Sequence, residues 1–244
     1  SPWLNPDGAC PRARRAAERA LKAELAWASH LSVPAVLCPP PRSARCPNYA
    51  RLLHQAVRAS SYLQLWVRLP LMSVREMQDG LPEGQESGQW RKWHGLRAAC
   101  NSPQALSLAL ELTADLPSDE ELMRWLGEPV RAVVVPTSVF LTNKKGYPTL
   151  SRRHQSFVKA LVKHKLQFIL RGRAQHAKGY LPYLQYLDHL RGQLPPVPED
   201  EKFSLPYNDY LQVPLQPLAD NLESATYETF EKDPVKYRRY EEAV

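Results

Sequence analysis

The chain has 244 residues, with 32 Lys+Arg against 25 Asp+Glu and a formal net charge of +7, a length that suits one large domain or one domain with part of another. Hydrophobic residues at 43% and charged residues at 23% exclude wholesale disorder. Ten glycines exclude collagen-like and Gly-rich linker chains, and no apolar run nears the ~18 residues that span a bilayer.

Helical and strand patterns alternate along most of the chain. Arg12 to His30 reads as a helix with Ala17, Ala20, Leu21, Leu25 and Ala28 on one stripe. Ser32 to Leu37 reads as a short buried strand. Asn48 to Arg58 carries Leu52, Leu53, Ala56 and Val57 at helical spacing, and Tyr62 to Leu69 is a β-branched and aromatic strand ending at Pro70. Gln89 to Ala99 reads as a helix packing through Trp90, Trp93, Leu96 and Arg97; Leu106 to Leu112 alternates as a strand. Ser118 and Glu121 form a capping box that opens a helix to Leu126. Val130 to Val135 is a strand closed by Pro136. Ser151 caps a helix carrying Phe157, Val158, Leu161 and Val162. Leu166 to Leu170 is a strand, and Tyr180 to Leu190 an amphipathic helix.

Five β-then-α units predict a parallel sheet with right-handed crossovers. A doubly wound sheet usually opens on a Gly-rich phosphate turn, and no G-x-G-x-x-G occurs here. The favoured fold is therefore α/β, a (β/α)8 TIM-type barrel; five units are too few to close eight strands, so either the barrel is partial or further strands are not legible in the pattern. An opening Ser1-Pro2-Trp3 rather than Met or a basic, apolar leader suggests a fragment with no secretory signal.

Past Gly192, Pro195, Pro196, Pro198, Pro206, Pro214 and Pro217 crowd a short stretch, a density that breaks regular structure. This reads as an extended arm whose Phe203, Tyr207 and Tyr210 need a surface to lie against. Asp220 to Lys232 is expected to be helical. Asp233 as N-cap with Pro234 behind it starts another helix. The expected organisation is a partial barrel at 1–193, a connecting arm at 194–220 and a final helical portion at 221–244.

Several constellations could carry chemistry. Glu111 and Asp115 end a predicted strand, where barrel enzymes place carboxylates; they could equally cap a helix or pair with a nearby Arg. His30, His54, His94, His154, His164, His176 and His189 lack paired-ligand spacing, so no metal site is read, and Ser60, Ser61 and Ser138 lack a nucleophile-elbow context. Cys10, Cys38, Cys46 and Cys100 match neither a zinc pattern nor a dense disulfide framework and fit a reducing compartment. Asn143, Lys144, Lys145 and Gly146 form a basic turn beside Tyr147 and Pro148. An amide, two cations and a ring could grip an extended acidic peptide, or the segment could be a solvated βα loop. Tyr227 and Phe230 share a helix face, with Lys236 and Tyr237 one turn into the next helix. Such aromatics could lie over a flat or cationic ligand, or form an ordinary packing stripe. A small-molecule barrel enzyme and a basic nucleic-acid-binding module remain competing readings.

The strings R-W-L-G-E-P (124–129), F-L-T-N-K-K-G-Y-P (140–148), L-Q-Y-L (184–187), D-Y-L-Q-V-P-L-Q-P-L-A-D-N-L-E-S (209–224) and T-Y-E-T-F-E-K-D-P-V-K-Y (226–237) closely resemble the protein arginine N-methyltransferase 5 family, the type II, symmetric-dimethylating arginine methyltransferases. The resemblance covers nearly the whole chain. It implies the later part of a TIM barrel, a dimerisation arm and the first helices of a Rossmann-type methyltransferase domain. It further implies S-adenosyl-L-methionine as cofactor, contacted by positions matching Tyr227, Lys236 and Tyr237, and a residue matching Phe230 that governs symmetric product. The turn matching Asn143, Lys144 and Lys145 docks substrate-adaptor peptides in the family; Tyr147 stands where the family usually has Phe. Other implied partners are a WD-repeat β-propeller methylosome subunit on a surface that includes the region of Trp90 and Trp93, and arginine substrates such as histones and Sm proteins. The parent is expected to be a homo-oligomer of cytoplasm and nucleus, active in chromatin regulation, with no membrane and no direct nucleic-acid contact. The family's Gly-rich adenosyl loop and catalytic glutamates find no match here, so this chain alone is expected not to catalyse.

Overall fold

The structure, a computed structural model, describes residues 4–80, 87–164, 166–208, 216 and 219–244. Tyr210, Pro214 and Pro217 of the predicted arm, and the opening Ser1-Pro2-Trp3, lie outside the described residues. The chain forms two units, Ser1–Leu194 and Pro195–Val244.

In the first unit the elements run α1 (Pro11–His30), β1 (Ala35–Cys38), α2 (Pro47–Ala59), β2 (Gln64–Pro70), α3 (Val74–Asp79), α4 (Gly88–Ala99), β3 (Leu106–Glu111), α5 (Asp119–Leu126), β4 (Val130–Pro136), β5 (Leu141–Thr142), β6 (Pro148–Thr149), α6 (Arg152–Val162), β7 (Gln167–Arg171) and α7 (Leu181–Gly192). Strands β1, β2, β3, β4 and β7 pair in that order, all parallel, while β5 and β6 form a separate antiparallel hairpin. Each sheet strand lies beside its neighbour in sequence. A doubly wound sheet reverses its winding at a switch point; this one does not, and the sheet curls as part of a (β/α)8 barrel.

The side-chain alternation of strands sorts the two faces. In β2, Leu65, Val67 and Leu69 are buried against the helices, as are Leu108 and Leu110 of β3 and Val133 and Val135 of β4. The intervening residues turn inward: Ala109, Ala132 and Val134 form a second cluster with Trp66 and Ile169. On the helix side, α1 contributes Ala17, Leu21 and Leu25, α2 Tyr49, Leu52 and Leu53, and α4 Trp93 and Leu96. Trp90 and Arg97, placed on the same packing side by periodicity, instead rim it. The indoles of Trp90 and Trp93 donate to the two carboxylate oxygens of Glu128, at 3.2 and 2.8 Å, and Arg97 pairs with it at 3.1 Å.

Two elements of this unit escaped the sequence reading. One is α3, whose Ser73 and Glu76 close a reciprocal capping box. The Glu76 carboxylate reaches further: it accepts from the Ser73 amide at 2.6 Å, the Gly88 amide at 2.7 Å and the Ser87 hydroxyl at 3.2 Å. One side chain thus closes α3 and anchors the start of α4. Partial burial opposes the charged form, but the donors from Ser73, Gly88 and Ser87 outweigh it and hold the carboxyl below its usual value of 4.5. A depressed folded pKa adds stability that is present above the unfolded pKa and is lost as pH falls through the folded one. Glu76→Ala is therefore expected to destabilise by about 1–2 kcal/mol at pH 7. The difference from the parent chain should shrink in denaturant titrations below pH 4.5; an undiminished difference at low pH would refute the clamp.

The second is the pairing of β5 with β6 around the basic turn, a hairpin that neither the peptide-gripping turn nor the solvated βα loop specified. In the second unit, the stretch read as extended arm contains α8 (Glu199–Ser204) and a 3-10 turn at Leu205–Tyr207. Glu199, Asp200 and Glu201 fill the first turn of α8, favourable charges for a helix start, and the prolines flank the helix rather than interrupt it. Then follow α9 (Ser224–Glu231) and α10 (Pro234–Ala243). The helix expected from Asp220 begins only at Ser224, because Asp220 closes a turn with Gln216: its carboxylate accepts the Gln216 amide at 3.0 Å.

Candidate functional site

The hairpin organises the basic turn. The Gly146 amide donates to the Asn143 carbonyl at 2.9 Å, and the Asn143 amide to the Tyr147 carbonyl at 2.9 Å. Gly146 sits at φ +81°, a left-handed position that a side chain would strain. Asn143 Oδ1 accepts the amides of Lys145 at 2.9 Å and Tyr147 at 3.0 Å. The amide oxygen is thus spent inside the turn, and its NH2 group remains for an outside carbonyl. Lys144 and Lys145 are exposed, and among the described residues neither has an ion pair. The Tyr147 ring stacks on His176 at 5.1 Å between centroids.

Helix α7 holds this turn from below. Tyr186 Oη accepts the Leu150 amide and the Thr149 hydroxyl, both at 3.1 Å. Phe140 packs edge-on against Tyr183 at 4.9 Å and Tyr186 at 6.2 Å. His176, Tyr183 and Tyr186 were not singled out from sequence. Tyr186 stands inside the L-Q-Y-L string, and the i, i+3 spacing of Tyr183 and Tyr186 on one helix face was the available signal.

The carboxyl-terminal residues come together as two pairs on successive helices. Tyr227 and Phe230 of α9 meet edge-to-face at 6.3 Å, both partly exposed. The Lys236 ammonium lies 6.0 Å from the Tyr237 ring centroid. Asp233 caps α10 as expected, accepting the amides of Val235 at 2.9 Å and Lys236 at 3.4 Å.

The strand-end carboxylates separate. Glu111 is buried on the inner face between two arginines: Arg68 lies 3.3 Å from Oε2, and Arg171 donates to Oε1. Both carboxylate oxygens are thus engaged by guanidinium groups, one from β2 and one from β7. Asp115 is exposed, and its carbonyl accepts the Thr113 hydroxyl. His154 is buried in hydrogen bonds to Ser151 Oγ at 2.7 Å and the Thr113 carbonyl at 2.9 Å; His54 contacts the Cys100 carbonyl at 3.0 Å. Among the described residues no three His, Cys, Asp or Glu converge as metal ligands. All four cysteines are free. Burial pushes Cys38 and Cys46 up to about 12 and Cys100 to about 11, so these three are thiols at neutral pH.

Residues 1–193 match the family described as PRMT5 TIM barrel domain, and residues 198–244 the family described as PRMT5 arginine-N-methyltransferase. The chain is 42% identical over 257 residues to Protein arginine N-methyltransferase 5 of Xenopus laevis, covering 100% of this chain and 40% of the relative. It is 40% identical over 271 residues to Protein arginine N-methyltransferase 5 of Oryza sativa subsp. japonica, covering 100% of this chain and 42% of that relative. Protein arginine N-methyltransferase skb1 of Schizosaccharomyces pombe is 34% identical over 248 residues, 100% of this chain and 38% of the relative. The chain therefore spans about two fifths of the length of these relatives. With one family matched across the curled parallel sheet and its arginine methyltransferase counterpart matched across the carboxyl-terminal helices, the chain belongs to the protein arginine N-methyltransferase 5 family.

Proposed function

We propose that this chain is the barrel, arm and cofactor-lid portion of an enzyme that moves methyl groups from S-adenosyl-L-methionine to protein arginine. The product is symmetric dimethylarginine on histones and RNA-processing proteins such as Sm proteins, in cytoplasm and nucleus. The observation that carries this reading is similarity along 100% of the chain to relatives named as protein arginine N-methyltransferases. In it, 1–193 is the scaffold, 194–220 the dimerisation arm and 221–244 the start of the methyltransferase domain. A WD-repeat β-propeller subunit sits on the barrel, and the whole protein is a homo-oligomer.

The residues present suit the cofactor chemically. S-adenosyl-L-methionine supplies an activated methyl group on a sulfonium. The Tyr227 and Tyr237 faces suit a cation, and the Lys236 ammonium suits its carboxylate. Phe230, in edge contact with Tyr227, stands at the position to which the family resemblance gives control of the symmetric product. The basic turn supports adaptor docking: Lys144 and Lys145 present two ammonium groups from a backbone that Asn143 and Gly146 have already fixed, so little ordering cost falls on binding.

Lys144→Ala with Lys145→Ala is expected to weaken binding of an acidic adaptor peptide at least about tenfold in fluorescence anisotropy. Both side chains are exposed, so the melting curve should hold within the ~0.5 kcal/mol typical of surface changes. Unchanged peptide affinity would remove the docking role. For the methyl transfer itself, a protein extended to the full length of the relatives should yield symmetric dimethylarginine on a histone-tail peptide; exclusively asymmetric product would overturn the reading.

A further inference from the structure

The carboxyl-terminal ends of β4 and β7 border an open cleft of about 710 Å3, within the size range of small-molecule sites. It is lined by Arg171 and Arg173 together with Ser138 and Gln175, and no acidic residue among the described ones lines it. Arg171 is tied through one arm to Glu111, which Arg68 also pairs, so this trio carries a formal +1. The rest of its fork stays open, since the side chain is 53% exposed. Arg173 is exposed, and among the described residues its guanidinium has no hydrogen bond or ion pair. Of the two arginines lining the cleft, Arg173 has no internal partner among the described residues, and Arg171 shares Glu111 with Arg68.

The loop behind it is built rather than slack. Tyr180 Oη donates to the Gly172 carbonyl at 2.7 Å, Thr137 Oγ1 to the Arg173 carbonyl at 2.9 Å, and the Gln175 amide to Tyr183 Oη at 3.1 Å. Gly172 stands at φ +97°, and a Cβ there would meet Thr137 Oγ1 at 2.8 Å. Only glycine makes this reversal, which turns both flanking arginines onto one cleft. A cationic site fixed before binding avoids the cost of ordering its own loop. Guanidinium forks match tetrahedral oxyanions bidentately, and the carboxyl-terminal face of (β/α)8 sheets is where βα loops cradle phosphate.

We propose that this cleft binds a small phosphate monoester, whose anionic oxygens meet the unpartnered Arg173 and the open part of the Arg171 fork. Arg173 grips phosphate oxygens, while Arg171 and Ser138 complete the shell. The residues of this cleft are not those of the docking turn or of the carboxyl-terminal aromatics.

The test is calorimetric titration of the full chain with inorganic phosphate and with ribose 5-phosphate at low ionic strength, alongside amide chemical shifts. Saturable binding of both is expected, with the ester the tighter ligand and the Gly172 amide among the shifted resonances. Arg173→Ala should weaken both ligands at least about tenfold, Arg173→Lys less, and Arg131→Ala, an exposed arginine on β4 outside the cleft, not at all. Absence of saturation, equal losses in Arg173→Ala and Arg131→Ala, or an unmoved Gly172 amide would each overturn the proposal. A phosphoserine peptide that binds about tenfold more tightly than ribose 5-phosphate would instead assign a phosphoprotein and refute the small-ligand reading. A thermal melt of each variant guards against misfolding, and the Gly172 shift in the parent chain depends on no variant.

Discussion

Replacing Trp93 with alanine should cost about 3–5 kcal/mol, the range for emptying a large buried aromatic site, and so remove a large part of the ~5–15 kcal/mol that holds a typical domain. Trp93 is fully buried between α4 and the sheet. Its indole also donates to Glu128 at 2.8 Å, but that carboxylate keeps Trp90 at 3.2 Å and Arg97 at 3.1 Å when Trp93 is gone. The loss is therefore mostly one of packing. Trp93→Phe keeps most of the apolar volume and drops one hydrogen bond of three, so about 1–2 kcal/mol is expected. Urea titrations followed by far-ultraviolet circular dichroism would separate the two variants. An alanine variant within about 1 kcal/mol of the phenylalanine one would mean that the helix layer collapses over the gap, contrary to a rigid core.

The alternation that made the sheet legible in sequence is the same physics. Leu65, Val67 and Leu69 at every second position could only be a strand with one face under helices. Five such strands separated by helical stripes point to a parallel sheet, and it is the missing Gly-rich turn that favours a barrel over a doubly wound sheet. Local hydrogen bonding wrote what was harder to read. Ser73 and Glu76 carried a capping-box signature, but α3 is only six residues and buries nothing, so no apolar stripe drew attention to it. The hairpin strands are two residues each, too short for any alternation to show. In α8, acidic residues of the first turn outweighed a proline count that pointed to extended chain. The lysines of the basic turn were visible as charge, whereas the platform beneath them was not: Tyr186 reaches Leu150 from 36 residues away, and only the fold brings them together. The aromatics of α9 and α10 remain partly exposed, so the stripe they form is not used for packing among the described residues.

Glu111 is the position where stability and the proposed phosphate site pull in opposite directions. Glu111→Ala leaves Arg68 and Arg171 facing the inner surface with no shared carboxylate. Removing one partner of a buried pair costs ~3–5 kcal/mol, but the arginine side chains are 34% and 53% exposed, so solvent screens part of it and about 2 kcal/mol is expected. Added salt should reduce the deficit, because two unpaired cations repel less as the screening length shortens. Changing Arg171 to methionine in the Glu111→Ala background should recover part of the loss, with a coupling of about 1 kcal/mol in the double-mutant cycle. Zero coupling would mean that the ion pair contributes nothing and Glu111 acts through volume alone. The freed Arg171 fork would then face the β4–β7 cleft with its charge unopposed. Phosphate affinity should rise in the same variant whose melting temperature falls. A general decline in structure would lower both together, so the divergence of sign distinguishes electrostatic release from loss of fold.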